Sequence, residues 1–231
     1  MMDQQGKPPA ARKAARKDGE GNGQKVVPKD GQHEGRQLAR KDRDGGGQRQ
    51  IALLRGVNVG RAKRIAMADL RQVLGELGFT GARTLLNSGN AVFDCDGLDA
   101  AQSSTSMSAT RIEEALVLKL GVGSRVTVLD AQQLDDVVAD NPLGAIAVDP
   151  ARLMVSVFSN PADRAKLEPL AHQPWEPEAF ALGRWAAYIW CADGVLASRA
   201  AAAMGKLLGD GVTTRNWATI SKLHALARAD A

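Results

Sequence analysis

The chain has 231 residues, of which 44% are hydrophobic but only 4% aromatic, and it carries a formal net charge of +4. This length allows one large domain or two small ones, with a core built mainly from Leu, Val, Ile and Ala. The two cysteines lie far apart, which excludes a disulfide framework, and no apolar run approaches ~18 residues, which excludes a membrane-spanning helix. Because no secretory signal is visible either, the sequence predicts a cytoplasmic protein.

Residues 1–49 differ in composition from the rest of the chain. They contain no Phe, Trp, Tyr or Ile, and residues 1–50 carry 12 Lys and Arg against 7 Asp and Glu, whereas the remainder carries 18 against 19. Such a segment cannot bury enough surface to offset its ordering entropy, so we predict a disordered basic tail. The alternatives for it are a solvated extension, a stretch translated from a wrongly chosen start, or a weak nucleic-acid- or partner-binding arm; the interspersed acids favour the first two.

The apolar run IALL at 51–54 predicts a central strand at the start of the folded part. Leu70, Val73, Leu74 and Leu77 then have the spacing of an amphipathic helix, which Gly78 ends. The elements predicted next are a strand at 82–87, a turn at Ser88-Gly89, a strand at 90–95, a helix carrying Ile112, Leu116 and Leu120 and ending at Gly121, and a strand at 125–129. The order βαββαβ predicts a ferredoxin-like unit with the spatial strand order 4-1-3-2.

The second half repeats much of this pattern. A short helix at 131–139 and the breaker DNPLG form the connection. The elements predicted after it are a strand at 152–158, a helix at 161–170, strands at 178–183 and 185–191, a helix at 197–209 and a last helix at 213–229. We therefore predict an α+β fold of two ferredoxin-like subdomains in tandem, residues 50–139 and 140–231, after the tail. One continuous α+β sheet is the alternative.

The end of the first strand and the turn between the second and third strands form a candidate binding site. In the predicted strand order, the loop RGVNVG meets the turn NSGN at one edge of the sheet. The residues that would converge there are Arg55, Gly56, Asn58, Gly60, Asn87, Ser88, Gly89 and Asn90. Glycine lets backbone N–H groups approach a ligand closely, and Arg55 would pair with an anion. The alternative is a self-capped turn and an arginine paired with an acid.

Arg215 and Asn216 form a second candidate group. If the last helix begins at Thr213 or Thr214, both residues lie in its first turn, where a cation opposes the helix dipole by about 0.3–1 kcal/mol. Either an acid such as Asp210 offsets this charge, or an anion binds at the helix N-terminus beside Arg215.

Several segments resemble a known bacterial family of unknown function, DUF1697. They are ALLRGVNVG, MADLRQVLGELGF, NSGNAVFD, NPL and TTRNWATISKL, spread between Gln50 and Leu226. The resemblance implies two ferredoxin-like subdomains and no established activity. It places on the signature positions Arg55, Gly56, Asn58, Gly60, Ser88, Gly89, Asn90, Thr214, Arg215, Asn216 and Trp217. The chain departs from the family at 61–63 and in its long tail.

No sequence motif indicates a particular reaction. Three residues separate Gly56 from Gly60 and no hydroxyl follows Lys63, so the loop is not a phosphate-binding Walker loop. The three histidines do not cluster, and no metal, cofactor or catalytic residue is indicated. Cys95 and Cys191 are expected to end strands as small apolar residues.

These residues favour binding of a small anionic ligand, nucleotide- or phosphate-like, as the function of the protein. Arg55 would pair with it, and Asn58 and Asn90 would orient it. One alternative is a nucleic-acid-associated protein that uses the basic tail and strand aromatics; the candidates are Phe93, Trp185, Tyr188 and Trp190. The other alternative is a protein-interaction module.

Overall fold

The computed structural model describes residues 48–60 and 63–229, so that nearly all of the predicted tail lies outside the described residues. The elements of the first half are β1 (Arg49–Leu54), α1 (Met67–Glu76), β2 (Thr80–Leu85), β3 (Asn90–Asp94), α2 (Thr105–Leu120), β4 (Val126–Asp130) and α3 (Ala131–Ala139). Those of the second half are β5 (Leu153–Phe158), a 3₁₀ helix (Pro161–Leu167), α4 (Glu168–Ala171), β6 (Ala179–Leu182), β7 (Ala186–Trp190), α5 (Arg199–Leu208), a 3₁₀ turn (Gly209–Gly211), β8 (Val212–Asn216) and α6 (Trp217–Arg228). Within the described ranges no helix is long and apolar enough to cross a membrane.

The strands form two separate four-stranded sheets in which every pair is antiparallel. Their orders are β2-β3-β1-β4 and β6-β7-β5-β8. The strand order predicted for the first half is therefore confirmed, and the alternative of one continuous sheet is wrong. Each half ends in a helix that follows its edge strand directly, α3 after β4 and α6 after β8.

The two sheets also share their register. Ala52 of β1 pairs with Ala91 and Val128, and in the second sheet Ser156 of β5 pairs with Ala187 and Thr214. Residues of β1, β3 and β4 therefore have counterparts in β5, β7 and β8. By the same register, Arg215, which pairs with Val155, is the counterpart of Leu129, which pairs with Ile51.

The prediction of the last helix is wrong at its beginning, because residues 212–216 form strand β8 instead. The β-branched run Val212-Thr213-Thr214 fits a pleated, half-buried surface better than a helix. The helix begins after Asn216, whose side-chain oxygen accepts a hydrogen bond from the backbone N–H of Thr219 at 3.0 Å. Asp130 caps α3 in the same way at the equivalent place. The predicted helix at 161–170 is a 3₁₀ helix over most of its length.

Three apolar clusters hold the fold together. One lies between the halves and combines Ile51 and Leu53 of β1 with Val155 and Val157 of β5 and with residues of α3 and α6. The second packs the other face of β1 against α1 and α2, and the third packs the second sheet against α4 and α5. Strand β1 is buried on both faces, which explains why its apolar residues run without alternation.

Candidate functional site

The loop after β1 and the turn before β3 converge as the sequence predicts. Asn58, with a backbone φ of 58°, joins them: its side-chain amide donates to the carbonyl oxygens of Asn87 at 2.7 Å and Ile65 at 2.8 Å. Its side-chain oxygen accepts from the N–H of Ile65 at 2.9 Å. All the polar atoms of the Asn58 side chain are thus engaged in shaping the loop.

The glycines of the site serve two different purposes. A Cβ on Gly89 would lie 2.6 Å from Cγ2 of Val57 and 2.7 Å from Cβ of Leu54, so this glycine is required by the protein's own packing. Gly56 and Gly60 have φ values of 66° and 62°, are exposed, and have no neighbour within 4 Å of a Cβ position. Of these three glycines, only Gly56 and Gly60 therefore have exposed backbone that a ligand can approach.

Asn90 is fully buried and lies at the centre of the site. Its side-chain amide donates to the carbonyl oxygen of Leu85 at 3.0 Å and to Oγ of Ser88 at 2.9 Å. Its side-chain oxygen accepts a hydrogen bond from Nε of Arg215 at 2.5 Å. The asparagine therefore connects the NSGN turn of the first half to β8 of the second half.

Arg215 reaches from β8 to the end of the first sheet. Its Nη2 donates to the carbonyl oxygens of Leu54 at 2.7 Å and Ser88 at 2.9 Å, and its Nη1 donates to that of Thr214 at 2.9 Å. No acidic side chain of the described residues pairs with it. Burial lowers the pKa of Arg215 to about 10, so the guanidinium is still charged at neutral pH. The placement of Arg215 in the first turn of a helix is wrong, and the opposition to a helix dipole does not apply.

Arg55 crosses between the halves in the opposite direction. Its Nε donates to Oδ1 of Asp210 at 3.0 Å, and its Nη1 donates to the carbonyl oxygen of Val212 at 2.6 Å. Asp210, considered above as an acid for Arg215, is the partner of Arg55 instead. The two arginines therefore bind each half to the backbone of the other at the same end of β1.

Three hydroxyl groups add a polar contact between the edge strands β4 and β8. Oγ1 of Thr127 lies 3.0 Å from Oγ1 of Thr213 and 2.8 Å from Oγ of Ser159. Thr127 and Thr213 are counterparts in the two sheets, pairing with Leu53 and Val157 respectively. The contact therefore joins equivalent positions of the two halves.

Arg55, Arg215 and the RGVN and NSGN segments thus form one junction between the halves. Residues 48–188 match the model of the family described as "Protein of unknown function (DUF1697)". The chain belongs to this family. The match includes the RGVN loop and the NSGN turn and ends before β8, which carries Arg215.

The fold of this DUF1697 protein is similar to that of a conserved bacterial protein from Streptococcus pneumoniae. The two chains are 19% identical, with a TM-score of 0.59, and the similarity covers 78% of this chain and 99% of the other. At this level of identity the likeness concerns the fold alone. No curated protein matches the sequence.

Other candidate groups of the DUF1697 protein lie away from the junction or inside the core. Asn216 caps α6, and its side-chain oxygen also accepts from the hydroxyl of Thr219 at 2.7 Å. The strand aromatics expected to stack on bases do not form an exposed platform: Phe93 and Tyr188 are fully buried, and Trp185 and Trp190 are partly buried against the cluster between the halves. Burial also raises the pKa of the Cys95 thiol to about 11, and both cysteines are free and buried, as predicted. In residues 48–60 and 63–229, no group of His, Cys, Asp and Glu side chains could hold a metal ion.

Sequence reasoning missed a cleft beside α5 in the second half. Its walls include Ser156 of β5 and Thr214 of β8, and Arg55 also borders it. A signal was present in the sequence, because Ser156 interrupts the otherwise apolar strand LMVSVF. Thr214 could not be assigned to this cleft while it was taken for a helix cap.

Proposed function

We propose that this protein binds a small anionic ligand, nucleotide- or phosphate-like, at the junction formed by Arg55, Arg215 and the RGVN and NSGN segments. The observation that carries the proposal is the environment of Arg215. Its guanidinium is partly buried, retains its charge at neutral pH, and is surrounded by neutral oxygen atoms without an acid from the described residues. A partly buried charge of this kind favours a counter-ion.

Several donors of the junction remain available for such a ligand. A guanidinium carries five N–H groups, and the described bonds use four of those on Arg215 and two of those on Arg55. The side chain of Arg55 is 35% exposed. Gly56 and Gly60 are exposed and have no neighbour within 4 Å of a Cβ position, and the Ser88 hydroxyl keeps its own hydrogen to donate. Asn58 and Asn90 hold the loop and the turn in place rather than orienting the ligand.

The proposal extends to the architecture that carries the junction. We take residues 50–139 and 140–231 as two ferredoxin-like subdomains, supported by the shared strand order and register of the two sheets. We also take the protein to act in the cytoplasm, which is consistent with two free, buried cysteines.

The test is stabilisation of the full chain by anions. Inorganic phosphate, pyrophosphate and adenosine monophosphate are titrated while the melting temperature is recorded, since a ligand that binds only the native state raises it. Arg55→Gln should abolish the rise. Arg152→Gln is the matched control, because Arg152 is also an exposed arginine paired with an acid, Asp149, and should leave the rise unchanged. Equal responses of the two variants, or no response of the wild type, would overturn the proposal.

The nucleic-acid alternative gives a different result in the same assay. Binding of single-stranded RNA through the basic tail should weaken steeply with salt and persist in Arg55→Gln. Such a result, without any effect of the small anions, would favour the alternative.

A further inference from the structure

A cleft of about 210 Å³ lies between helix α5 and strands β5 and β8 of the second sheet. Most of its wall is apolar, with Met154, Ile189 and Met204 among the contributing side chains. Its polar groups are the hydroxyls of Ser156 and Thr214 and the side chain of Arg55.

The two hydroxyls leave one hydrogen without a protein acceptor. Oγ of Ser156 and Oγ1 of Thr214 lie 2.8 Å apart, and no other side-chain hydrogen bond of either hydroxyl is found among the described residues. The pair carries two hydrogens, of which only one can lie between the two oxygens. Ser156 is fully buried and Thr214 is half-buried; whichever of them donates within the pair, the other keeps a hydrogen that a ligand in the cleft can accept.

The first half shows that the fold does not require this hydroxyl pair. The counterparts of Ser156 and Thr214 are Ala52 and Val128, by the register of the strands. Both are buried in an apolar cluster together with Ile112 and Leu116 of α2. The equivalent place is therefore filled by apolar side chains in one half and lined with donors in the other.

Arg55 adds a positive charge where the cleft meets solvent. Its side chain is 35% exposed, whereas Ser156 is fully buried, so the guanidinium lies toward the outside and the hydroxyl pair toward the inside. Three of its five N–H groups have no partner among the described residues and can bind a carboxylate.

We propose that this cleft binds a short aliphatic oxo acid. The carboxylate pairs with Arg55, the chain lies against Met154, Ile189 and Met204, and the inner carbonyl oxygen accepts the free hydrogen of the Ser156–Thr214 pair. The cleft shares Arg55 with the anion junction proposed above, but it uses neither Arg215 nor the glycines of the RGVN loop.

The first experiment measures binding of 5-oxohexanoate and of hexanoate, which lacks the carbonyl, to the full chain by isothermal titration calorimetry. The oxo acid should bind about fivefold more tightly, the ratio expected for one additional hydrogen bond. Ser156→Ala combined with Thr214→Val removes both hydroxyls, as at Ala52 and Val128 of the first half, and should remove this preference. Thr213→Val is the matched control: Thr213 is adjacent on β8, its hydroxyl contacts Thr127 instead, and the preference should persist.

A second pair of variants tests the position of the cleft. Gly205 of α5 borders it, and neither Gly205 nor Gly75 of α1 has an atom within 4 Å of a Cβ position. Both are exposed helical glycines, so leucine is accommodated at either place. Gly205→Leu should block the cleft and weaken binding of both acids at least tenfold, whereas Gly75→Leu should bind them like the wild type. Urea denaturation of each variant verifies that it is folded.

Three results would overturn the inference: equal affinity of the wild type for the two acids, a preference that survives the double change Ser156→Ala and Thr214→Val, or binding unaffected by Gly205→Leu. Absence of binding by either acid would overturn it as well. Failure of the anion junction is distinguishable, because phosphate stabilisation is tested with Arg55→Gln and should be unchanged in the Ser156→Ala, Thr214→Val double variant and in Gly205→Leu.

Discussion

The two halves of the protein share strand order and register but differ in the side chains at equivalent positions. On the face covered by α2 in the first half, Ala52 and Val128 pack in an apolar cluster. On the equivalent face of the second half, Ser156 and Thr214 line a cleft beside α5. Helix α2 has 16 residues and α5 has 10, so the first sheet is covered by the longer helix. The same backbone arrangement thus supports an apolar core in one half and, in the other, a largely apolar cleft that carries two hydroxyl groups.

The faces that meet between the halves differ in a similar way. Leu129 is buried in the cluster between the two sheets, and its counterpart Arg215 extends to the end of the first sheet. The first half therefore contributes backbone carbonyls and an asparagine, and the second half contributes the cation. In the second half, candidate ligand-binding side chains therefore lie at positions that are apolar in the first half: Arg215, Ser156 and Thr214.

Replacing Arg215 by the residue of the first half should have the largest effect. Arg215→Leu removes four hydrogen bonds and leaves the carbonyls of Leu54 and Ser88 and the side-chain oxygen of Asn90 without this donor. We expect a loss of about 3 kcal/mol in the free energy of unfolding, measured by urea denaturation.

Arg55→Leu is the control for this change. Its ion pair is exposed, with side-chain exposures of 35% for Arg55 and 78% for Asp210, so the loss should be about 1 kcal/mol. A placement of Arg215 in the first turn of a helix would instead predict nearly unchanged stability for Arg215→Leu. An Arg215→Leu variant as stable as the wild type would show that the crossing arginine does not hold the halves together.

The NSGN turn offers the next test, because the position of Gly89 is occupied by Trp185 in the second half. Gly89→Ala combines a φ of 73° with a Cβ that would clash with Val57 and Leu54, and should cost roughly 2 kcal/mol. Gly56→Ala has a similar φ of 66° but open space, and should cost roughly 1 kcal/mol. Equal losses in urea denaturation would mean that the close packing of the turn contributes nothing.

The contact between equivalent threonines should have a smaller effect. Thr127→Val and Thr213→Val each remove one hydroxyl of the 3.0 Å pair, and each should lower the free energy of unfolding by about 1 kcal/mol. Because the two changes disrupt one contact, the double variant should lose less than the sum of the single losses. Additive losses would show that the two hydroxyls do not interact.

The smallest expected effect is a change in the free energy of unfolding with pH. Burial raises the pKa of the Cys95 thiol from its ordinary value of 9.0 to about 11. The unfolded chain then releases this proton before the folded chain does, so stability falls as pH rises from 9 to 11, by about 1 kcal/mol between pH 8 and 10. Cys95→Ala should flatten this part of the profile.

Cys191 lies at the equivalent position after β7, so the same test can be made in the second half. Burial also raises the pKa of its thiol, so Cys191→Ala should reduce the decline in stability in the same direction. An unchanged profile in both single variants would show that these thiols do not titrate differently in the folded and unfolded chains.

Local sequence patterns determined most of the elements and the strand order of the first half. Helix α1 follows from the spacing of Leu70, Val73 and Leu74, and α2 ends at Gly121, whose φ is 65°. The convergence of the RGVN loop and the NSGN turn followed from the order βαββαβ, because that order places β1 beside β3. These predictions rest on periodicity and turn residues, which act over a few positions of the chain.

Only the tertiary structure decided what the signature residues do. Residues 212–216 can begin a helix or form a strand by local preference, and pairing with β5 selects the strand. The partners of Arg215 lie 125 or more positions away, apart from Thr214, and those of Arg55 lie more than 150 positions away. The packing of Gly89 against Val57 and the cleft beside α5 depend in the same way on residues brought together by folding. Spacing along the chain carries no information about such contacts, because their geometry is set by how the two sheets pack.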